Sequence, residues 1–437
     1  MSREVSQAQS QILKTPSDLL QVFEKGARPA SEFLIGIEFE RFVIDAQKGT
    51  SLPFRSSGPC IEKLLAAFRE KTNWDPVFDH DALISLTHGG SAITLEPGGQ
   101  LEISAAAHAQ LQDSLDEIKR IVVIFDEIGR ELPCFYARTA VPPVTTLENA
   151  QWVPKSRYKA MRQFHQKDEA FLEMMTVTSS IQINYDYFSE GDCKSKIIAS
   201  SFLSPILAAL FANSFFENGK VNGFCTRRMQ IWDRLDPNRS GVPPFFIDGT
   251  FTFEKYRDYM MDIPMYFISR DGKYIDVGHL TFREYMNTKP FGDVLEQDWL
   301  LHLTTTFPEV RLKNHLEFRS IDSNTLDLVM SSAAIIKGIM YHPQSLDQIL
   351  QMCKDVTASD IKKATKDVSV QGMQASFAGR KVKDYVAEIF QIAKSGLVND
   401  EQRFLSYVRP YVDEGLSPAE VKLKNLSLAD DMVWKQF

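Results

Sequence analysis

The sequence predicts an α+β fold, in which an antiparallel sheet is followed by a helical C-terminal region. At 97–99, Pro-Gly-Gly marks a tight turn, and Leu101-Glu102-Ile103 then alternates apolar and charged residues as a half-buried strand does. From Leu326 onward, strand signals fade and apolar residues recur at helical spacing. Alternating stretches of the first kind also occur at 33–45, 174–187 and 307–322.

The composition restricts the classes of partner. The chain has 437 residues, of which 44% are hydrophobic and 24% are charged, as in an ordinary globular protein. A formal net charge of −8, without a run of Lys and Arg, argues against nucleic acid or an anionic membrane as the main partner. Anionic ligands are compatible with this charge if metal ions lie between them and the protein.

Cysteine usage and the apolar stretches predict the location. The five cysteines are scattered and contain no Cys-x-x-Cys pair, which indicates a reducing compartment. The polar residues 1–20 lack the apolar segment of a signal peptide. The apolar stretch 202–216 is interrupted by polar residues and is shorter than the roughly 20 residues of a membrane span, so we expect a buried helix. The sequence therefore predicts a cytoplasmic protein without a membrane partner.

Two pairs of glutamates lie on predicted strands. In 33–45, β-branched and aromatic residues favour a strand on which Glu38 and Glu40 share one face and repel each other. Glu96 and Glu102 flank the Pro-Gly-Gly turn and can converge on one point. A metal site explains both pairs. A solvated edge strand explains the first pair and a hairpin with outward charges explains the second.

Helical spacing and a turn signal organise the rest of the chain. An apolar stripe on the predicted helix 108–132 indicates a face that packs in the core and not a cofactor site. Asp271-Gly272 predicts the turn of a hairpin at 264–277. Further helices are predicted at 17–25, 60–71 and 195–212.

Polar residues with binding chemistry lie in the middle of the chain. On the predicted strand 174–187, Gln182 and Asn184 share a polar face, which an exposed sheet surface explains nearly as well as a ligand site. Arg228 and Arg239 lie in a loop-like stretch downstream. Arginine forks suit carboxylate or phosphate, although most arginines lie on protein surfaces without a ligand.

The charged strand pair at 307–322 closes the predicted sheet. The alternation places Glu317 and Arg319 on one face with His315, and Arg311 on one face with Glu309. A structural Glu–Arg ladder across strands, contributing about 0.2–1 kcal/mol per pair, is an alternative to a functional site. His315 alone is more often a structural histidine than a ligand.

The acidic residues suggest a metal-dependent chemistry. Several glutamates on separate strands, brought together without compensation, would be strongly unfavourable. Mg²⁺ would resolve the conflict, because it prefers oxygen ligands and often joins carboxylates to nucleotide phosphates. Arg319 could then neutralise a transferring phosphoryl group. The sequence contains neither a Walker A motif nor a kinase-type Gly-rich loop, so a nucleotide would be held in another way.

The motifs resemble those of glutamate–cysteine ligases of the type found in plants and many proteobacteria. Together they run in order from about residue 33 to 322, and the combination of ITLEPGGQLE with FPEVRLKNHLEFR is the most specific. The matching stretches are GIEFERF (36–42), ITLEPGGQLEIS (93–104), SIQINYDY (180–187), LFANSFFENGKVNGF (210–224), DPNRSG (236–241), DIPMYFISRDGKYID (262–276) and FPEVRLKNHLEFRSID (307–322).

The resemblance implies a fold like the catalytic domain of glutamine synthetase, with an antiparallel sheet curved into a funnel and wrapped by helices. The change of pattern at Leu326 divides the chain into a catalytic sheet body at 1–325 and a helical region at 326–437, which we expect to pack on the same domain. The resemblance also implies a reaction. ATP phosphorylates the γ-carboxylate of glutamate, the amine of cysteine attacks the acyl phosphate, and γ-glutamylcysteine is formed in the first step of glutathione biosynthesis.

The resemblance also implies roles for individual residues. Arg319, Glu317 and Glu96 would be catalytic, and Gln182, Asn184 and Arg319 would lie at the ATP phosphates. Arg228 would pair with a substrate carboxylate, Tyr266 would line the amino-acid pocket, and Arg239 would belong to the same substrate site. Two or three Mg²⁺ ions would be held by Glu38, Glu40, Glu96, Glu102 and Glu317.

Departures from the family pattern leave alternatives open. The chain has Ala105-Ala106-Ala107 where relatives have Gly-Ala-Pro, and Asp322-Ser323-Asn324 where they have a Gly-Gly pair. These changes spare the metal residues but make cysteine a less secure substrate than glutamate or ATP. A related carboxylate–amine ligase with a different amine or acid is one alternative, and a non-catalytic nucleotide-binding protein is another. In each case the partners would be small molecules, and the chain would be a monomer or a homodimer.

Overall fold

The computed structural model describes residues 10–426 and 433–436, and residues 1–9 of the polar N-terminal stretch lie outside this part of the chain. The strands are β1 (Ile35–Arg41), β2 (Val43–Asp45), β3 (Asp75–Asp79), β4 (Ala82–His88), β5 (Ser91–Leu95), β6 (Leu101–Ser104), β7 (Cys134–Tyr136), β8 (Ser180–Tyr185), β9 (Phe216–Glu217), β10 (Lys220–Val221), β11 (Ser240–Gly241), β12 (Phe267–Arg270), β13 (Lys273–Asp276), β14 (Phe307–Pro308), β15 (Val310–Leu312), β16 (Leu316–Asp322), β17 (Ser376–Phe377) and β18 (Arg380–Lys381).

Helices account for much of the remaining chain. The α-helices are α1 (Gln21–Glu24), α2 (Ile61–Thr72), α3 (Leu111–Glu131), α4 (Ser156–Phe164), α5 (Glu169–Val177), α6 (Glu190–Leu210), α7 (Arg227–Trp232), α8 (Phe253–Met261), α9 (Phe282–Thr288), α10 (Glu296–Leu303), α11 (Leu326–Met340), α12 (Pro343–Met352), α13 (Ala358–Gln371), α14 (Val382–Gly396), α15 (Arg409–Glu414) and α16 (Pro418–Asn425). Short 3₁₀ helices lie at Pro16–Leu20, Ala30–Glu32, Pro244–Phe246, Gly372–Gln374, Asn399–Ser406 and Val433–Gln436.

One large antiparallel sheet organises the fold. Its eight strands run in the order β15-β16-β8-β1-β6-β5-β4-β3. Each neighbouring pair is antiparallel. β1 lies in the interior of the sheet, between β6 and β8, and all seven of its residues are buried. The predicted α+β fold with a large antiparallel sheet is confirmed.

The Pro-Gly-Gly turn joins β5 to β6, as predicted. The Glu96 amide donates to the Gln100 carbonyl oxygen over 2.9 Å, which closes the turn. A Cβ atom on Gly98 would lie 2.1 Å from the Thr176 carbonyl oxygen, so only glycine fits at this close approach. Gly99 has a φ of 83°, in the left-handed region that glycine tolerates. The turn therefore places Glu96 and Glu102 at the same end of one hairpin.

The predicted strand at 174–187 is wrong in its first residues. Residues 174–177 form the end of α5, and the strand begins only at Ser180. The side chain of Asp168 accepts from the Phe171 amide and caps the start of α5. The apolar residues that follow face the core from a helix, because a short apolar run fits a buried helix as well as a buried strand.

The apolar stretch around residue 202 belongs to α6, a buried helix as predicted. Of the helices in the described part of the chain, α6 is the one that is long and apolar enough to cross a membrane by length and composition. Yet 83% of that segment is buried inside the protein. It packs against β16 and the C-terminal helices α12, α13 and α14.

The C-terminal region is helical, as predicted. α11 follows β16 directly and packs against β8, β1 and α14. Short strands β17 and β18 form the one strand pair that the structure describes after residue 326. The division into a sheet body at 1–325 and a helical region at 326–437 on the same domain remains a proposal.

Candidate active site

The strand register aligns polar side chains along one face of the sheet. Glu40 on β1 lies opposite Glu102 on β6, and Glu38 on β1 lies opposite Gln182 on β8. Further along, Asn184 on β8 lies opposite Glu317 on β16. Directly paired residues on neighbouring strands project to the same side of a sheet. The polar faces predicted separately from the sequence are thus parts of one surface.

A cavity of about 170 Å³ lies on this face. Both acidic and cationic side chains line it, here termed its acidic side and its cationic side, so it can take up both a cation and the anionic groups of a substrate. The acids are Glu38, Glu40, Glu96 and Glu102, and the cations are Lys155, Arg157, Arg228, Arg311, Lys313 and Arg319.

Glu40 lies at the centre of the acidic side. Its carboxylate accepts from the Ser180 amide over 2.6 Å and from Gln182 Nε2 over 2.7 Å. Burial and the neighbouring charges of Glu96 and Glu102 raise the pKa of Glu40 to about 8. The carboxylate is therefore held in place, but its negative charge is poorly compensated.

The charged form of Glu102 is disfavoured in a similar way. Its carboxylate accepts from Thr94 Oγ1 over 3.1 Å and from the hydroxyl of Ser104. Burial and the nearby acids Glu38 and Glu96 raise the pKa of Glu102 to about 7. No described residue donates a hydrogen bond to the Glu96 carboxylate, which lines the cavity at the end of the hairpin.

These acids fit a site for hard divalent cations. Glu40 and Glu102 are buried and repel their acidic neighbours, and a bound cation would remove that repulsion. In the part of the chain that the structure describes, no three Asp, Glu, His or Cys side chains are already gathered as a metal site. The acids line one cavity, therefore, but they are not drawn together around a single point.

Glu317 lies among three cations, and its charge also acts on Glu38. It is fully buried, and its carboxylate accepts from Arg311 Nη2 over 2.7 Å and from Lys313 Nζ over 2.6 Å, and also from Arg319. Burial alone would raise the pKa of Glu317, but the three cations outweigh it and hold that pKa well below its usual range. The Glu–Arg ladder that the sequence left open is present here, between Arg311 and Glu317.

Gln182 connects the acidic and cationic sides. Its Nε2 donates to Glu40, and its Oε1 accepts from Arg319 Nη1 over 2.5 Å. Two residues further along the same strand, Asn184 Nδ2 donates to Glu38 over 3.0 Å. Both amides thus lie beside the acids, and their contact with ATP phosphates stays a prediction.

Arg228 is fixed at the start of α7. The side chain of Thr226 caps this helix and also donates to Asp322. The guanidinium of Arg228 lies 4.6 Å from the ring of Trp232 and donates to the Arg319 carbonyl oxygen over 2.7 Å. Its Nε is buried without a hydrogen-bond partner. Arg228 therefore keeps donor capacity beside the cavity.

Arg239 and Tyr266 lie together outside the cavity lining. Both are buried, and the Arg239 guanidinium lies 4.4 Å from the ring of Tyr266. Arg239 donates to the backbone of Thr305 and Pro264, and the Tyr266 hydroxyl lies 2.7 Å from His165 Nε2. Here they support the cavity wall, and their direct contact with a substrate stays a prediction.

Several cavity residues were not predicted from the sequence. Lys155 and Arg157 come from a stretch before and at the start of α4 that has no strand alternation. Burial lowers the pKa of Lys155 to about 8, although Glu96 opposes that shift. Lys313 could have been found, because it continues the period of two from Arg311. No sequence pattern pointed to Trp232, whose ring lies beneath the guanidinium groups of two arginines in the structure.

A second, larger cavity adjoins the first at Glu38, which lines both. Its volume is about 610 Å³, enough for a ligand of nucleotide size. The loop of Gly89 and Gly90 between β4 and β5 lines one side, and Asn184 and His315 line another. The two cavities could therefore hold two different ligands, one on either side of Glu38.

Comparison with known proteins shows the family to which the chain is similar. Residues 34–432 match the profile of Glutamate-cysteine ligase family 2 (GCS2). Chloroplastic glutamate–cysteine ligase of Nicotiana tabacum is 36% identical over 418 residues, which cover 94% of this chain and 79% of that protein. Chloroplastic glutamate–cysteine ligase B of Oryza sativa subsp. japonica is 35% identical over 420 residues, which cover 94% of this chain and 84% of that protein.

A solved structure agrees with the fold. Glutamate–cysteine ligase of Francisella tularensis, in complex with AMP, superposes with a TM-score of 0.56 at 13% sequence identity. The match covers 92% of this chain and 86% of that one.

The predicted cytoplasmic location is wrong in the light of these relatives. They are named chloroplastic, which points to a plastid. The five cysteines are free and buried, as expected in a reducing environment. Unpaired cysteines indicate a reducing compartment, however, and they do not distinguish one reducing compartment from another.

Proposed function

Because the chain belongs to Glutamate-cysteine ligase family 2, we propose that it is an ATP-dependent ligase that joins the γ-carboxylate of L-glutamate to the amine of L-cysteine. This reaction is the first step of glutathione biosynthesis. The observation that carries the proposal is the single cavity in which buried acids face buried arginines across neighbouring strands. A ligase that brings two anionic substrates together needs acids to hold cations and arginines to bind the anionic groups.

The chemistry proceeds in two transfers. An oxygen of the γ-carboxylate attacks the γ-phosphorus of ATP, ADP leaves, and a γ-glutamyl phosphate forms. The amine of cysteine then attacks the carbonyl carbon of the phosphorylated γ-carboxyl group, the phosphate leaves with its bridging oxygen, and the amine loses a proton. A free carboxylate is a poor electrophile, and phosphorylation provides it with a good leaving group.

The cationic side of the cavity would bind the reacting anions. Arg319 has a buried Nε without a partner, so it can still donate toward a transferring phosphoryl group. Arg228, which like Arg319 lies over the ring of Trp232, would pair with a glutamate carboxylate. Glu317 would orient Arg319 through their ion pair, together with Arg311 and Lys313.

The acidic side would hold two or three Mg²⁺ ions, through Glu38, Glu40, Glu96 and Glu102. When bound, the ions would screen the repulsion between the carboxylate and the phosphates. Glu317 would join this set only by giving up part of its contact with the three cations around it. Gln182 and Asn184 would keep Glu40 and Glu38 oriented toward the ions.

The larger cavity beyond Glu38 is proposed as the nucleotide site. It lies on the far side of the acids from Arg228, so ATP entering there would present its phosphates to the acidic row. Glutamate and cysteine would occupy the smaller cavity beside the arginines. Phosphoryl transfer would require the γ-phosphate and the γ-carboxylate to meet in line where the two cavities adjoin at Glu38.

Release of ADP is the direct test of the reaction. Purified protein is supplied with ATP, Mg²⁺ and glutamate, and a panel of amines is then added one at a time. We expect cysteine to stimulate ADP release most strongly and γ-glutamylcysteine to appear in equal amount. Stimulation by another amine and not by cysteine would favour the related carboxylate–amine ligase, and no release with any amine would contradict both.

A further inference from the structure

A third cavity lies on the opposite face of the sheet. Phe39 and Arg41 alternate with Glu38 and Glu40 along β1, so they project away from the catalytic face. Both line a cavity of about 820 Å³ between β1, the end of α3, β7 and the start of α11. None of the catalytic residues proposed above lines it.

Arg41 forms the floor of this cavity. Its side chain is only 6% exposed, and its guanidinium lies 4.8 Å from the ring of Phe39 and 4.7 Å from the ring of Tyr136. Nε and Nη2 are buried without a hydrogen-bond partner. A buried, unpaired charge is unfavourable, and burial lowers the pKa of Arg41 to about 10. Among the described residues no carboxylate forms an ion pair with Arg41, and the charge of Asp126, which lines the same cavity, offsets the effect of burial only in part.

Other features of the same cavity also favour an anion. Arg130 and Arg138 are exposed at its mouth. Asp126 and Asp327 line it too, but among the described residues no ion pair joins these four side chains, so the arginines remain available. The amino end of α11 opens here, and its N-cap residue Thr325 makes no side-chain capping bond. Helix amino ends attract anions through their free amides.

We propose that this cavity is an accessory site for a small organic anion, whose carboxylate or phosphate group pairs with Arg41 at the amino end of α11. The planar guanidinium presents parallel N–H groups that match either oxyanion. The apolar side chains of Phe39, Val122 and Phe135 line the same cavity and suit the carbon part of such a ligand. The site is independent of the ligase reaction proposed above.

Binding of simple anions to the full-length protein tests the proposal. Inorganic phosphate, citrate and benzoate are titrated separately by calorimetry, without Mg²⁺ or nucleotide. The variants are Arg41→Met, Arg130→Ala and Arg319→Ala, with Arg120→Ala on α3 as the matched control, since Arg120 is exposed and does not line the cavity. Comparing the phosphate titration with the citrate and benzoate titrations shows whether the site prefers a phosphate or a carboxylate group.

At least one probe should bind to a single site in the wild-type protein. Its affinity should fall by about tenfold or more in Arg41→Met and Arg130→Ala, the loss of roughly one charge-assisted hydrogen bond. It should be unchanged in Arg120→Ala and in Arg319→Ala. Binding of none of the three probes would overturn the proposal, and so would a loss confined to Arg319→Ala. If Arg41→Met does not fold, Arg130→Ala decides: wild-type affinity in that variant overturns the proposal.

Discussion

Glu40 on β1 lies directly across from Glu102 on β6, in register within the centre of the sheet. Burial, together with the charges of neighbouring acids, raises the pKa of Glu40 to about 8 and that of Glu102 to about 7. A sheet keeps such a pair only if something compensates the charge. In the proposed ligase that compensation comes from Mg²⁺, which makes the magnesium-free protein informative.

The stability of the magnesium-free protein should fall as the pH rises from about 4.5 to about 8. The pKa of Glu40 in the folded state lies above its ordinary value of 4.5, so the folded state holds a proton that the unfolded state has lost in this range. The contribution is most favourable at low pH and disappears as Glu40 ionises. Thermal unfolding across this range measures it.

Glu40→Gln should flatten this pH dependence, whereas Glu127→Gln, at an exposed position on α3, should leave it unchanged. Added Mg²⁺ should restore stability above pH 8 in the wild type and less so in Glu40→Gln. Equal slopes in the wild type and in Glu40→Gln would show that this carboxylate is not the source of the effect.

Arg319→Ala should lower kcat by at least about 10²-fold, as expected when a group that stabilises the transition state is lost. Stability should change little, because Glu317 keeps its contacts with Arg311 and Lys313. Steady-state ADP release and thermal unfolding are measured together. A near-normal kcat would remove Arg319 from its proposed role.

Glu96→Gln should lower kcat by a similar factor, because it removes one of the carboxylates proposed to hold Mg²⁺.

Arg228→Lys should raise KM for glutamate by about tenfold, since one charge-assisted hydrogen bond of roughly 1.5 kcal/mol is lost with the fork. The neighbouring Arg227 provides the control, because it pairs with Glu173 and Glu217 and does not line the cavity. Arg227→Lys should leave KM unchanged. The same KM in both variants would argue against a carboxylate contact for Arg228.

Tyr266→Phe separates two roles for this residue. If Tyr266 only supports the wall through His165, KM for glutamate and for cysteine should change by less than about threefold, under 1 kcal/mol. A tenfold increase in either KM, with unchanged thermal unfolding, would instead indicate the direct substrate contact that the family resemblance implies.

Gly98→Ala tests the turn that positions two of the acids. Its Cβ would lie 2.1 Å from the Thr176 carbonyl oxygen, so the backbone must move. Such overpacking typically costs about 1–3 kcal/mol, and the displaced hairpin should also reduce ADP release. Gly58→Ala is the control, because its nearest neighbour would be Ser56 Oγ at 3.8 Å. Equal urea midpoints for the two variants would contradict the tight approach.

Local patterns predicted the site where it is built from strands. The period of two placed Glu38 with Glu40, and the Pro-Gly-Gly turn placed Glu96 with Glu102, because both rules depend only on nearby residues. All four line the cavity in the structure. Lys155 escaped this reasoning, because a tertiary contact of its stretch with the Leu95 carbonyl oxygen brings it to the site.

Other parts could not be read from local pattern because they depend on distant neighbours. The alternation around Glu317 suggested a Glu–Arg ladder but did not show that three cations would take up its charge. No local pattern showed that Arg239 and Tyr266 lie against each other. The unpaired state of Arg41 is likewise a property of the packed fold, since its two flanking rings come from different strands.

Oxygen transfer from substrate to phosphate tests the central claim most directly. Glutamate labelled with ¹⁸O in its γ-carboxylate is turned over with ATP, Mg²⁺ and cysteine, and the released phosphate is analysed by mass spectrometry. A γ-glutamyl phosphate formed in the cavity predicts one ¹⁸O atom in each phosphate released. Release of unlabelled phosphate during formation of γ-glutamylcysteine would contradict the mechanism proposed here.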